Sequence, residues 1–427
     1  MAISRAIVYH PLRFDLKNLL ATFGSRAFRS SPQSAAKVEE FEFVFAEYVG
    51  SRHAVAFPFA RTALYFALKN QRFEVGSEVI MPPITIKPMM DVVVALGLRP
   101  VFVDIERDTL CFDLEELENA INQNTKAILI TYLYGVVPNV KRLISLCREH
   151  GLFVIEDFSH NLNARSPVGS LGTLGDVGIY SCSATKTLDA YGGGLTVTDD
   201  EALFSALKEA QAALRPTPAK RLRAKVLKDV VWNVATQKWL FSIVIFPLLR
   251  ILRKVNPTLE QRLTGARLGL KPAGELPEEY FERFTKLQAE AGLTMLRRVD
   301  EEDAGRILNV EEIKRSLPEH ARPWPQLLDG CRNVYWQFVV YLPDGEKAKK
   351  SLARRGVDAG TSNLSLISGL GIYTEYERSC PNAEYIKNHA FLIPAYRRLS
   401  RRDLRNVKRA LREVIFENSG LPLPGQA

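Results

Sequence analysis

Between about residues 40 and 212 the chain alternates short β-rich runs with helical stretches, and no other feature restricts its folding as strongly. The spacing predicts strands over Ala54–Phe57, Glu78–Met81, Pro100–Asp104, Ala127–Tyr132, Leu152–Glu156, Gly178–Ser181 and Leu195–Thr198. Helices are expected over Val38–Tyr48, Arg61–Asn70, Leu114–Ile121 and Val140–His150. Short, continuously apolar strands separated by helices imply a mostly parallel sheet buried on both faces. The expected class is α/β, with a three-layer αβα large domain. Ligands of such sheets sit beyond the carboxyl ends of the strands.

The alternation stops after Ala212. Residues 213–275 run basic, then apolar, then Gly- and Pro-containing. A helix near Glu278–Val299 restores regularity, followed by a helix (Glu301–Ser316), a strand (Tyr335–Leu342) and a basic helix (Ser400–Phe416). The tail reads as a smaller C-terminal α+β domain. The expected division is an N-terminal arm at 1–35, a large domain at 36–212, an insertion at 213–275, and an interface helix plus small domain at 276–427.

Composition excludes disorder and fibrous classes, since 46% of the residues are hydrophobic and 25% charged. The net charge of +9 is a local property. Residues 215–256 hold ten Lys and Arg against Asp229 alone, and the rest of the chain is balanced. Five scattered cysteines without a CxxC pair argue against a disulfide scaffold or zinc ribbon, and the six histidines lack metal-ligand spacing. Arg5, His10, Arg13, Asp15 and Lys17 break up any signal-peptide core, so a cytoplasmic location is expected.

Three features fall at strand ends in a telling order. Val154-Ile-Glu-Asp157 is an apolar strand that delivers a carboxylate at its carboxyl end. Ser181-Cys-Ser-Ala-Thr-Lys186 follows the next strand, and Gly192-Gly193-Gly194 reads as a flexible turn after it. An aspartate at a strand end, then a lysine 29 residues on in a Ser/Thr-rich loop, suits a pyridoxal-phosphate enzyme. The lysine amine condenses with the cofactor aldehyde, and the aspartate keeps the pyridine nitrogen protonated. Backbone N–H groups at a helix start, here Arg61-Thr62, suit the phosphate.

These residues resemble the DegT/StrS family of sugar aminotransferases, which have the pyridoxal-phosphate-dependent transferase fold of type I. The resemblance also runs through Ala60-Arg-Thr-Ala-Leu64, Pro82-Pro-Ile-Thr85, Tyr132-Leu-Tyr-Gly135, Gly175-Asp-Val-Gly178, Lys286-Leu-Gln-Ala289 and Ile393-Pro394. It covers 40–212 well and 278–415 more loosely. It implies Lys186 as Schiff-base lysine and proton shuttle, Asp157 at the pyridine nitrogen and His160 over the cofactor ring. It also implies Ser181, Arg61 and Thr62 at the phosphate, and Ile86 where the family often stacks an aromatic. Three positions depart from the family besides Ile86. Arg61 replaces a Thr or Ser, Tyr191-Gly-Gly-Gly194 replaces Gly-Glu-Gly-Gly, and Phe281 replaces an Asn that reaches the neighbouring subunit's phosphate.

The resemblance further implies a homodimer that passes an amino group, with glutamate as donor, to the ketone of a nucleotide-linked keto-sugar. The product is an amino sugar for polysaccharide or glycoconjugate synthesis. Two other readings stand beside this one: a membrane-associated pyridoxal-phosphate enzyme acting on a lipid or lipid-linked ketone, and a catalytically inactive partner subunit.

The insertion reads as a basic arm (Lys220–Lys228), an apolar helix-like run (Val230–Leu252) and a basic end. The nearly uncharged stretch Trp239–Leu249 is too short for a transmembrane helix, which needs about 20 residues. Basic residues flanking a Trp/Phe/Ile/Leu face suit a peripheral membrane contact through 216–256 at the inner membrane face. The competing role is packing on the partner subunit. No nucleic-acid-binding motif is present.

Overall fold

The computed structural model describes residues 4–5, 32–235, 237–256, 275–317, 323–362 and 364–419. Seven strands form the central sheet: β1 (His53–Phe57), β2 (Glu78–Met81), β3 (Arg99–Phe102), β4 (Thr125–Thr131), β5 (Phe153–Asp157), β6 (Val177–Ser181) and β7 (Gly194–Thr198). They lie in the order β3-β2-β4-β5-β6-β7-β1. All neighbours are parallel except β7, which runs antiparallel to both β6 and β1. Nearly every residue of β5 and β7 is buried, because helices cover both faces of the sheet.

Those helices are α1 (Pro32–Val49), α2 (Ala60–Asn70), α3 (Lys87–Ala95), α4 (Leu114–Ala120), α5 (Val140–Glu149) and α6 (Glu201–Ala213). Asp113 and Asp200 cap α4 and α6 by accepting backbone N–H groups of the first turn. Helix α3 has no counterpart among the helices expected from the sequence. Pro88 lies in its first turn, where a missing N–H costs nothing.

The insertion is two helical pieces, not one. Helix α7 (Ala219–Ala235) ends before Gln237, and the chain turns helical again at Lys238–Leu240. A π turn at Phe241–Ile245 leads into α8 (Phe246–Val255), which carries Pro247 in its first turn. The expected helix over Glu278–Val299 is also broken. A 3-10 turn (Glu278–Phe281) comes first, and α9 (Lys286–Leu296) starts at Thr285, whose side chain forms a reciprocal capping box with Gln288. Helix α9 packs on α1 so closely that a Cβ on Gly292 would come within 2.5 Å of the Phe41 ring.

Helix α10 (Val299–Arg315) leads to the small domain: β8 (Phe338–Tyr341), α11 (Gly345–Arg354), β9 (Gly360–Thr361), α12 (Pro381–His389), β10 (Ala390–Ile393) and α13 (Arg401–Ser419). Its antiparallel sheet runs β8-β10-β9. A second core of Phe338, Val340, Leu352, Val407 and Leu411 fills the space beneath α13. The domains are stitched together where Ile84–Thr85, just after β2, pairs with Ser365–Leu366.

Candidate active site

The carboxyl ends of β5 and β6 bring Asp157, His160, Ser181 and Lys186 together, while Arg61 and Thr62 stand on α2 and Ile86 before α3. Asp157 ends β5, is buried, and accepts the Ser159 N–H at 3.0 Å. Burial raises the Asp157 carboxyl above its usual range, while Ser159 and the Lys186 charge pull it back. Ser159 also accepts the Ser181 N–H at 3.0 Å, tying the ends of the two strands together. The preceding carboxylate, Glu156, serves the scaffold. It accepts the Tyr132 hydroxyl at 2.6 Å and the N–H groups of Gly172, Leu174 and Gly175.

Lys186 sits in the loop between β6 and β7. Its own N–H bonds the Ser183 carbonyl, and Cys182, Ala190 and Gly192 close further backbone bonds across the loop. The amine is partly buried, and burial pushes it down from its ordinary 10.5 to about 8, with Asp157 opposing. It is a lysine that gives up a proton near neutrality, the property a proton shuttle needs.

The glycines are not a flexible turn. A Cβ on Gly194 would stand 2.2 Å from the Ala60 nitrogen, and one on Gly193 would stand 2.4 Å from the Phe284 ring. Only glycine lets the start of β7 approach the first turn of α2. There Arg61 places its guanidinium between the rings of Phe59 (3.8 Å) and Tyr280 (4.4 Å). Its Nε is buried without a hydrogen-bond partner. The Thr62 hydroxyl donates to the Tyr280 carbonyl at 2.9 Å, so its proton faces the protein.

His160 is buried, and its Nδ1 accepts the Tyr134 N–H at 3.2 Å, which assigns the ring proton to Nε2. Burial and the nearby Lys186 charge hold His160 well below its ordinary titration range, so it is neutral at physiological pH. Its ring stacks on Trp336 at 3.8 Å. Sequence reasoning missed Trp336. Its indole N–H donates to the Thr185 carbonyl at 2.7 Å, and the Lys186 Nζ lies 4.7 Å from the ring centroid. One side chain therefore touches the histidine and both residues of the Thr185–Lys186 step. Ile86 stands at the N-cap of α3, in the chain that follows β2, half-buried against the core. Phe281 packs edge-on against Tyr65 and Phe66 and offers no amide.

The sequence profile of the DegT/DnrJ/EryC1/StrS aminotransferase family matches residues 25–228 and 279–412. The chain belongs to this family. The profile breaks off between 228 and 279, a gap that overlaps most of the insertion expected over 213–275. The spore coat polysaccharide biosynthesis protein SpsC of Bacillus subtilis is 36% identical over 172 residues, 40% of this chain and 44% of that protein. The GDP-perosamine synthase of Caulobacter vibrioides is 26% identical over 88% of this chain and 90% of that protein. Among solved structures, the sugar aminotransferase CalS13 from Micromonospora echinospora superposes with TM-score 0.71 at 19% identity, covering 96% of this chain and 99% of that one. PseC of Helicobacter pylori, an aminotransferase of pseudaminic acid biosynthesis, gives 0.69 at 18% identity, with coverages of 98% and 99%. These likenesses fix the fold as that of the type I pyridoxal-phosphate transferases, and the family's cofactor is pyridoxal phosphate. The residues present fit it. A buried carboxylate stands near a lysine of lowered pKa, and a buried guanidinium nitrogen still awaits an acceptor.

Proposed function

We propose that this protein is a sugar aminotransferase that carries pyridoxal phosphate on Lys186 and transfers an amino group from glutamate to a nucleotide-linked keto-sugar. The observation that carries this is the Asp157–His160–Lys186 grouping at the ends of β5 and β6, with the amine pushed down to about 8 by burial. When bound, the cofactor supplies an electron sink for the carbon that loses its proton. Lys186 holds and moves that proton between the donor's α-carbon and the cofactor. Asp157 stays ionised against the ring nitrogen. Neutral His160, braced by Trp336, offers a flat surface to the ring. Arg61, whose buried Nε has no hydrogen-bond partner, would hold the phosphate, and Ser181 would add a hydroxyl. Thr62, whose N–H donates to the Phe59 carbonyl and whose hydroxyl donates to the Tyr280 carbonyl, would have to release one of these bonds to reach the phosphate, and Ile86 would lie against the cofactor ring.

The proposal includes a homodimer in the cytoplasm and a peripheral membrane contact through 216–256. The exposed apolar residues of that segment favour a second reading, in which the ketone is attached to a lipid carrier. Purified protein should show the near-visible absorbance of a lysine-bound cofactor, and Lys186→Ala should lose it. Keto-sugar nucleotides supplied with glutamate should yield 2-oxoglutarate and an amino sugar. No absorbance after cofactor addition would overturn the enzyme reading in favour of an inactive partner subunit. Absorbance with turnover only on a lipid-linked ketone would favour the second reading.

A further inference from the structure

Helix α7 has two different faces. On the inner one, Leu222 and Val226 pack with Tyr191 and Leu287, directly beside the Lys186 loop. Lys225 places its Nζ 4.6 Å from the Phe59 ring centroid, on the ring that Arg61 also covers. Arg221 bonds the Glu282 carboxylate at 2.6 Å. The insertion is thus fastened to the rim of the active site by its own subunit.

The outer face is different. Leu227, Val231 and Val234 recur at helical spacing and are exposed. Beyond the break the pattern resumes with Trp239 (66% exposed), Ile243 (72%), Val244, Leu248, Ile251 and Val255 (78%). The last four keep the four-three-four spacing of one helical face. An apolar surface of this size left in water calls for an occupant. Lys220, Arg223 and Lys228 are exposed on the same side of α7, and Lys238, Arg250, Arg253 and Lys254 follow in the sequence. The only acid of 219–255, Asp229, is buried. The outer face therefore carries cations among apolar side chains and no carboxylate.

We propose that this face docks on the surface of an anionic lipid bilayer, with the two helices lying in the interface plane. Charge selects the bilayer over a second copy. A two-fold contact centred on this patch would set its two groups of cations against each other. An anionic headgroup layer answers the cations, and the acyl boundary takes the apolar row to a depth of about 5–10 Å. Among the described residues no helix is long and apolar enough to cross the membrane, so the contact is peripheral. Because the inner face of α7 is fixed beside Tyr191, docking holds the active-site rim at the bilayer surface, where a lipid-linked substrate would arrive. That last consequence rests on the second, lipid-linked reading of the proposed function, whereas the docking rests on the outer surface of α7 and α8 alone.

The test is flotation of the full-length protein with phosphatidylcholine vesicles, with and without phosphatidylglycerol. Wild type should float only with the anionic vesicles, and less as salt rises. Val231→Asp and the double variant Leu248→Asp/Ile251→Asp should lower the bound fraction about tenfold or more, since each sets a charge where an apolar side chain would enter the acyl boundary. The variants should keep the cofactor absorbance and the native mass by light scattering. Wild type that stays unbound on anionic vesicles overturns the proposal, as do variants that float like wild type. Variants that break a dimer into monomers overturn it in favour of a second copy. Cofactor absorbance is read independently, so loss of docking and loss of the aminotransferase reading are separate results.

Discussion

Lys186 puts a cost on the cofactor-free protein that can be measured. Its amine titrates at about 8 in the folded chain against an ordinary 10.5. A shift of that size corresponds to about 3 kcal/mol of folding free energy, at about 1.4 kcal/mol per unit. This is a ceiling, because the side chain keeps some contact with water. Below pH 8 the lysine is charged in both states, so the folded state bears the full cost. Between pH 8 and 10.5 only the unfolded chain holds the proton, and stability rises with pH. Lys186→Met removes the charge and keeps a similar apolar volume. The cofactor-free variant should be more stable than wild type by up to about 3 kcal/mol at pH 7. That corresponds to roughly 6–12 °C in the melting of a domain of some 200 residues. The gap should close as pH climbs from 8 towards 10.5. Thermal melts of both proteins, stripped of cofactor and taken at intervals from pH 6 to pH 10, read this directly. A variant no more stable than wild type at pH 7 would refute the buried environment assigned to the amine, and so would a gap that does not change with pH.

Asp157 raises the Lys186 pKa through its charge, so Asp157→Asn should move the lysine's titration below about 8. The pH dependence of pyridoxal phosphate capture by stripped protein measures it, and an unmoved midpoint would contradict the pairing. Gly194→Ala would force a Cβ to within 2.2 Å of the Ala60 nitrogen. Overpacking of this kind costs about 1–3 kcal/mol. Because it pushes α2 away from β7, affinity for pyridoxal phosphate should fall further than affinity for pyridoxal, by equilibrium dialysis. Trp336→Phe keeps a ring on His160 but removes the N–H donated to Thr185, a loss of about 0.5–1.5 kcal/mol. Trp336→Ala should cost more, about 3–5 kcal/mol, in denaturation of the stripped protein.

The strand pattern was readable because burial on both faces forces short apolar runs, and Glu78–Met81 forms end to end where the sequence places it. Asp157 was readable because it ends such a run, and Lys186 because it lies in the Ser/Thr-rich loop that follows the next one. Other features depend on contacts between distant segments. Trp336 lies 151 residues from Thr185 in the sequence, on the chain that enters β8. Its position follows from the turn at Tyr134 and Gly135, both at positive φ, where the Gly135 carbonyl accepts the N–H groups of Val334 and Tyr335. A Cβ on Gly135 would lie 2.2 Å from the Trp336 nitrogen. The Gly192–Gly194 run gave no sign that two of its members are fixed by Phe284 and Ala60. The single apolar helix expected over Val230–Leu252 is interrupted before Gln237, and the π turn at Phe241–Ile245 lies just ahead of Pro247, whose missing N–H it accommodates.

The way the insertion is fastened decides which experiments can interpret it. Arg283 holds its root by donating to the carbonyls of Leu214 and Ala212, and the Thr217 hydroxyl returns a bond to the Arg283 carbonyl. Beyond the root, Leu222 and Val226 cover Tyr191, next to the glycines that bring β7 to α2. Removing 216–256 would strip that cover and leave Glu282, now bonded to Arg221, buried without its closest cation. Loss of the partner of a buried charge costs about 3–5 kcal/mol. A deletion would therefore disturb the catalytic loop whether or not the segment ever meets a membrane. Substitutions at Val231, Leu248 and Ile251 leave those inner contacts in place, and only such outer-face changes separate a docking surface from a wall of the active site.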